Sequence, residues 1–242
     1  MRLIVSKKYK FKYYLSDDGY FFLNRLQIQS YKDLYQKKCL EFSYFKFGVK
    51  KIFNHYAKFI ERMIREELSI NSDEWVIVSR ANFIHEYISG SISDVLAKEL
   101  SKKLNLKHVV SYPTIDLEND VNYSKLNSFK DRQSEINKRK YLLHFPENVD
   151  LNNKNIIFID DIINTGITIN TIRDSLSKYH IKQFKVFSIA KLVAPSPGFE
   201  YKLSRIILDK KFKNKNLIML KKLFSQSKLI VTHKLLKIIK KW

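Results

Sequence analysis

Between Trp75 and Val193, short apolar runs alternate with stretches of helical period, and that alternation limits the fold more than any other feature. "WVIVS" (Trp75 to Ser79), "KHVVSY" (from Lys107), "IIFI" (Ile156 to Ile159) and "FKVFSIAKLV" (ending at Val193) read as strands. Such runs suit strands covered on both faces. A helix is expected from about Ser93 to Leu104, and from Ile169 the apolar spacing turns helical again through Ile172 and Leu176. The pattern implies an α/β fold, a parallel sheet with crossover helices. In such sheets ligands bind beyond the C-terminal strand ends. A polar loop from Arg80 to about Ser91 and the loop after Asp161 both leave strands at that edge.

Around this core the chain divides into three expected parts. Residues 1–70 form an N-terminal hairpin and an amphipathic helix, residues 71–194 the core, and residues 195–242 a basic C-terminal extension. Tyr9, Phe11 and Tyr13 alternate with Lys8, Lys10 and Lys12, and Asp17-Asp18-Gly19 supplies a turn before "YFFL". That is the pattern of a β-hairpin. Val49, Ile52, Phe53, Tyr56, Ile60, Met63 and Ile64 recur at helical spacing, predicting a helix from about Phe47 to Leu68. Residues 113–140 are polar and fit neither pattern; a connection of that length is often a lid over a site. Pro195-Ser196-Pro197-Gly198 marks the boundary before the extension.

Composition narrows the function classes. Hydrophobic residues make up 45% of the 242, with 14 Tyr and 17 Phe, enough for a packed core. Nothing approaches eighteen consecutive apolar residues, so no transmembrane helix is expected. "MRLIVSKKYKFKYY" lacks an apolar signal-peptide core, and a cytoplasmic location follows as the default. The single cysteine, Cys39, excludes an internal disulfide and a zinc site built on several thiolates, and reads as a small buried residue. His85, His108, His144 and His233 show no metal-ligand spacing, and no Ser/His/Asp constellation is evident along the chain. The net charge is +21, and Phe199 to Trp242 hold thirteen Lys/Arg against two acids. About half the excess lies in that tail, which points to a polyanion such as DNA or RNA. In "KLLKIIKKW", Leu235, Ile238, Ile239 and Trp242 share one helical face; a core-packed helix is a stronger reading of it than a membrane-surface one.

The chemistry concentrates in "NIIFIDDIINTGITINTIRDSL". Asp160 and Asp161 end a buried-looking strand, and Asn164-Thr165-Gly166-Ile167-Thr168 leads into a helix. A turn entering a helix N-terminus presents unpaired N–H groups to the positive end of the helix dipole, which suits a phosphate. Gly166 permits close backbone approach, and Thr165 and Thr168 add hydroxyl donors. The spacing is neither a P-loop nor G-x-G-x-x-G. Carboxylates would repel a phosphate, so the acids call for another partner: the cis-hydroxyls of a ribose, or a Mg²⁺ ion. The plain structural alternative is that they cap a helix or pair with lysines.

"IIFIDDIINTGIT" resembles the 5-phosphoribosyl-1-pyrophosphate (PRPP) signature of type I phosphoribosyltransferases, with Asn164 in place of the first Thr of Thr-Thr-Gly-x-Thr. The resemblance implies a type I phosphoribosyltransferase-like sheet, with Asp160 and Asp161 on the ribose hydroxyls and, directly or indirectly, on Mg²⁺. Asn164, Thr165, Gly166, Ile167 and Thr168 would hold the 5′-phosphate. "VIVSRAN" sits where the family has its pyrophosphate loop, implying Arg80 with the backbone of Ala81 and Asn82. A mobile hood in this family lies between the second strand and the signature. Residues 113–145 fill that slot, with Lys125, Lys130, Arg132, Lys138, Arg139 and Lys140 as candidates. Within the superfamily the ComF-like (competence protein F) branch is most similar. "FSYFKFGVKKIFNHYAKFI" resembles its Lys-bearing segment, and "INKRKYLLHF" its Arg-rich stretch. The branch's four-cysteine zinc module is absent here. Two functions are implied. One is Mg²⁺-dependent transfer of 5-phosphoribosyl from PRPP to an unidentified nucleobase-like acceptor, as in nucleotide metabolism. The other is a non-catalytic nucleic-acid-associated protein of DNA uptake or phage defence. A homo-oligomer is compatible with either.

Overall fold

The computed structural model describes residues 1–28, 33, 36–46, 48–80, 82–84, 87–89, 91–113, 143–146 and 149–193. Strands β1 (Arg2–Val5), β2 (Lys12–Leu15) and β3 (Tyr20–Leu26) open the chain, followed by helices α1 (Lys37–Lys46) and α2 (Lys50–Glu67). Next come β4 (Trp75–Arg80), the short strands β5 (Asn82–Ile84) and β6 (Tyr87–Ser89), and α3 (Ile92–Leu104). Strand β7 (Lys107–Pro113), β8 (Leu143–His144), β9 (Asn155–Ile163), α4 (Ile167–Leu176) and β10 (Gln183–Leu192) complete the described elements.

Among the described residues the main sheet has the order β1-β2-β3-β10-β9-β4-β7-β8. Strands β3, β10, β9, β4 and β7 are mutually parallel, and the antiparallel pairs lie at the two edges. Helix α3 makes the crossover from β4 to β7, and α4 the one from β9 to β10. The expected α/β architecture is therefore present, and the strand carrying the acidic pair lies near the middle of the sheet. The N-terminal hairpin turns at Asp17–Gly19 as its sequence predicts, and β3 lies parallel to β10, so the hairpin extends the main sheet.

Burial on both faces explains why the central strands read as continuous apolar runs. Trp75, Ile77, Ile157, Ile159 and Phe187 pack on one side with Phe42 and Phe45 of α1, Ile60, Met63 and Ile64 of α2, and Leu96 and Leu100 of α3. Val76, Val78, Ile156, Phe158 and Val186 pack on the other with Ile169, Ile172 and Leu176 of α4. No helix among the described residues is long and apolar enough to cross a membrane.

Two details depart from the sequence expectation. The Arg80-to-Ser91 stretch, expected as a polar loop, contains the β5–β6 hairpin, in which Phe83 pairs with Ile88 and Ile84 with Tyr87. Two apolar pairs separated by His85 and Glu86 make a hairpin pattern that the polar surroundings obscure. Helix α1 lacks a clean apolar period because its buried positions include Ser43, whose hydroxyl bonds back to Cys39 O (2.8 Å). Cys39 itself is buried, as expected. Residues 114–142 and 194–242, which hold the expected hood and the basic extension, lie outside the described residues.

Helix α1 is anchored by Phe45, which is fully buried, stacks on Phe53 (5.8 Å between ring centres) and meets Tyr56 edge-on (5.6 Å). Phe45→Ala is expected to cost about 3–5 kcal/mol of unfolding free energy, read from a denaturant titration.

Candidate functional site

Strand β9 runs through both acids to Ile163, farther than the apolar run alone implies. Val78 of β4 sits beside Phe158, and Ser188 of β10 beside Asp160. Arg80, two residues beyond Val78, is thus level with Asp160, and both stand at the C-terminal edge of the sheet. The structure brings the expected acids, Arg80 and the loop together along this edge. Ala81 lies outside the described residues, as do the hood candidates Lys125, Lys130, Arg132, Lys138, Arg139 and Lys140; Asn82 is placed by its backbone at the start of β5.

After Ile163 the chain bends through Asn164 and Thr165 to Gly166, at φ +75°, which is the N-cap of α4. The helix begins at Ile167, two residues before the apolar period shows it. No side chain caps it. The first helical bond runs from Asn170 N–H to Gly166 O (3.0 Å), so the N–H groups of Ile167, Thr168 and Ile169 precede the ladder. A Cβ built on Gly166 meets nothing within 4 Å among the described residues. Positive φ rather than crowding selects glycine here.

The acids use their own backbone. Asp160 Oδ1 accepts from Asp161 N–H (2.9 Å), and Asp161 Oδ1 from Ile162 N–H (2.9 Å). Asp161 is buried and its Oδ2 accepts from the ammonium of Lys46 at the end of α1. The structural alternative thus holds in part: one acid of the two pairs with a lysine. Burial raises the pKa of Asp160 well above the usual carboxylate range; the Asp161 charge and a hydrogen bond to the Asp161 side chain add to this, while Lys46 opposes it.

The sequence reading missed Lys46 as a site residue, although it lies in the Lys-bearing segment quoted for the family resemblance. It also assigned no role to His108. Ser79, just before Arg80, is fully buried and donates its hydroxyl to Asp94 Oδ1 (2.7 Å), while His108 Nε2 lies 2.8 Å from the same hydroxyl. With its proton on Asp94, Ser79 accepts from His108 Nε2–H. This is no nucleophilic triad: Asp94 lies 3.5 Å from that same Nε2, and the serine is closed to substrate. Ser91 Oγ donates to Arg80 O (2.9 Å) and accepts from Asp94 N–H (3.0 Å), and Ser111 Oγ donates to Ser79 O (2.8 Å). The network joins the two ends of the segment 81–90 that follows Arg80. No signal in the sequence links these positions, because three separate elements, β4, α3 with its N-cap and β7, supply them.

Two outcomes are expected. Gly166→Ala is destabilising by about 1 kcal/mol in denaturant unfolding, and Gly166→Asn by less, since asparagine tolerates a left-handed backbone. Burial lowers the His108 pKa below its ordinary 6.5 although Asp94 opposes this. The unfolded chain therefore binds the proton first, and stability present at neutral pH falls as the pH drops through about 6.5 toward the folded value. Urea midpoints measured from pH 7.5 to 5 should show that slope, flattened in His108→Asn.

No family model and no curated protein matches the sequence. Among solved structures, the chain is similar to a purine phosphoribosyltransferase from Pyrococcus horikoshii Ot3, at 16% identity over 59% of this chain and 86% of that one, TM-score 0.37. It is similar to a hypoxanthine phosphoribosyltransferase from Staphylococcus aureus at 12% identity over 57% of this chain and 61% of that one, TM-score 0.38. A hypothetical protein from Neisseria gonorrhoeae with bound ppGpp matches at 14% identity over 62% of this chain and 72% of that one, TM-score 0.38.

Proposed function

We propose that the chain binds PRPP at the C-terminal edge of β9 and β4 and transfers its 5-phosphoribosyl group to an acceptor nitrogen. One observation carries this reading. An acidic pair lies near the C-terminal end of a central parallel strand, and a left-handed glycine then opens the following helix without a capping side chain. The acidic pair provides the acceptor for the ribose hydroxyls, and the N–H groups of Ile167 and Thr168 with the Thr165 and Thr168 hydroxyls take the 5′-phosphate. Arg80, at the end of β4 beside β9, is the cation assigned to the departing diphosphate. In the transfer the acceptor nitrogen bonds to the anomeric carbon while the carbon–oxygen bond to pyrophosphate breaks, its electron pair leaving with pyrophosphate. The ionised carboxylate nearby opposes the positive charge that develops on the sugar. Among the described residues no group of three or more His, Cys, Asp or Glu could enclose a metal. Asp160 and Asp161 are the residues that would contribute oxygens to a Mg²⁺ ion, which would supply charge to neutralise the leaving group. The ComF-like branch rests on the sequence resemblance of the segment that carries Lys46.

The uneven charge favours a second reading, a PRPP-fold protein whose basic extension holds nucleic acid. Thermal unfolding with Mg²⁺ and PRPP separates the two. Ligand at about a hundred times its dissociation constant adds roughly 2.7 kcal/mol to a folded state that binds it. The expected result is a raised midpoint for the native chain and none for Asp160→Asn/Asp161→Asn. No shift in either, with salt-sensitive retention of DNA or RNA by both, would reverse the assignment.

A further inference from the structure

Lys46 reaches the acid pair from 115 residues away. Helix α1 closes in a Schellman turn: Gly48 N–H donates to Phe45 O (2.8 Å), Val49 N–H donates to Tyr44 O (3.0 Å), and Gly48 stands at φ +69°. Those bonds fix the last turn, and buried Phe42 and Phe45 fasten it to the core. The backbone that carries Lys46 is thus set in place before any ligand arrives. A cation also suits the negative end of a helix. Asp161 has a side chain only 9% exposed and offers Oδ2 to Lys46 and Oδ1 to Ile162 N–H. Asp160 keeps part of its surface in solvent, with Oδ1 on the Asp161 N–H, although it is enclosed enough to oppose its ionisation and also feels the Lys46 charge. The two acids differ in what they can give an incoming ligand.

We infer that Lys46 is a positioning residue: it holds Asp161 as the fixed anion of the pair and leaves Asp160 as the acid that meets ribose hydroxyls. The ligand half rests on the PRPP reading above; the tether half rests on the geometry alone. Two adjacent carboxylates at a buried strand end repel each other, and a resident ammonium lets one stay charged without moving. Removing Lys46 leaves a buried carboxylate with no counter-charge, whereas removing both partners leaves none to compensate.

The test is a double-mutant cycle with a binding arm. Melting midpoints are measured without ligand for Lys46→Met, Asp161→Asn and the pair, with Lys46→Gln replacing Lys46→Met should the latter fail to fold. Calorimetry with Mg²⁺ and PRPP follows for these variants, Asp160→Asn and Lys46→Arg. Each tether variant is expected to lower the midpoint, the double by less than the sum, and Lys46→Arg to recover most of the loss. Asp160→Asn is expected to weaken PRPP by about tenfold or more with no fall in midpoint. Lys46→Met weakens it by a smaller factor, restored by Lys46→Arg. Additive midpoint losses would overturn the tether. An equal, tenfold further loss of PRPP affinity on adding Asp161→Asn to Lys46→Met would make Asp161 a ligand-facing acid and overturn the division of roles. An unmutated chain that takes up no PRPP sinks the ligand reading, while the ligand-free cycle still decides the tether.

Discussion

Burial of the parallel sheet on both faces is the constraint on which the rest depends. With α1, α2 and α3 on one side and α4 on the other, the inner strands have no wet face on which to place a polar side chain. Chemistry is driven toward the C-terminal strand ends, from which loops turn back toward the helices. Strand β9 shows the change within two residues, from fully buried Ile159 to the acids Asp160 and Asp161. Because β4 runs parallel and in register beside it, Arg80 arrives at the same level.

The edge carries electrostatic tension that the core absorbs. Asp160 sits beside a second acid in a setting that opposes its ionisation, and Lys46 relieves that tension from an unrelated part of the chain. Lys46 can do so only because Phe42, Phe45 and the turn at Gly48 hold the end of α1 in position. A second polar knot, Ser79 with Asp94 and His108, secures the far side of the same edge by tying the strand before Arg80 to the helix that returns after the 81–90 segment. Both clusters turn side chains that would be costly if buried alone into hydrogen-bonded sets.

The strands were legible because each is a run of β-branched and aromatic residues bounded by polar ones, and such runs need no partner to be recognised. Helix α2 was legible through Phe53, Tyr56, Ile60 and Ile64, which mark one stripe along it. Helix α1 was not, since its packing is spread over Cys39, Phe42, Ser43 and Phe45 with a serine turned inward. The β5–β6 hairpin escaped notice because its pairing spans three residues on each side, too few for a period to show.

The sequence by itself determined the α/β alternation, the acidic pair at a strand end and the glycine that opens the following helix, because each is written in neighbouring residues and local backbone preference. Only the tertiary structure decided that β4 and β9 lie side by side, that Lys46 meets Asp161 and that His108 meets Ser79. Those pairings join positions as many as 115 residues apart. They follow from the direction in which each helix packs on the sheet, which no local pattern of side chains records.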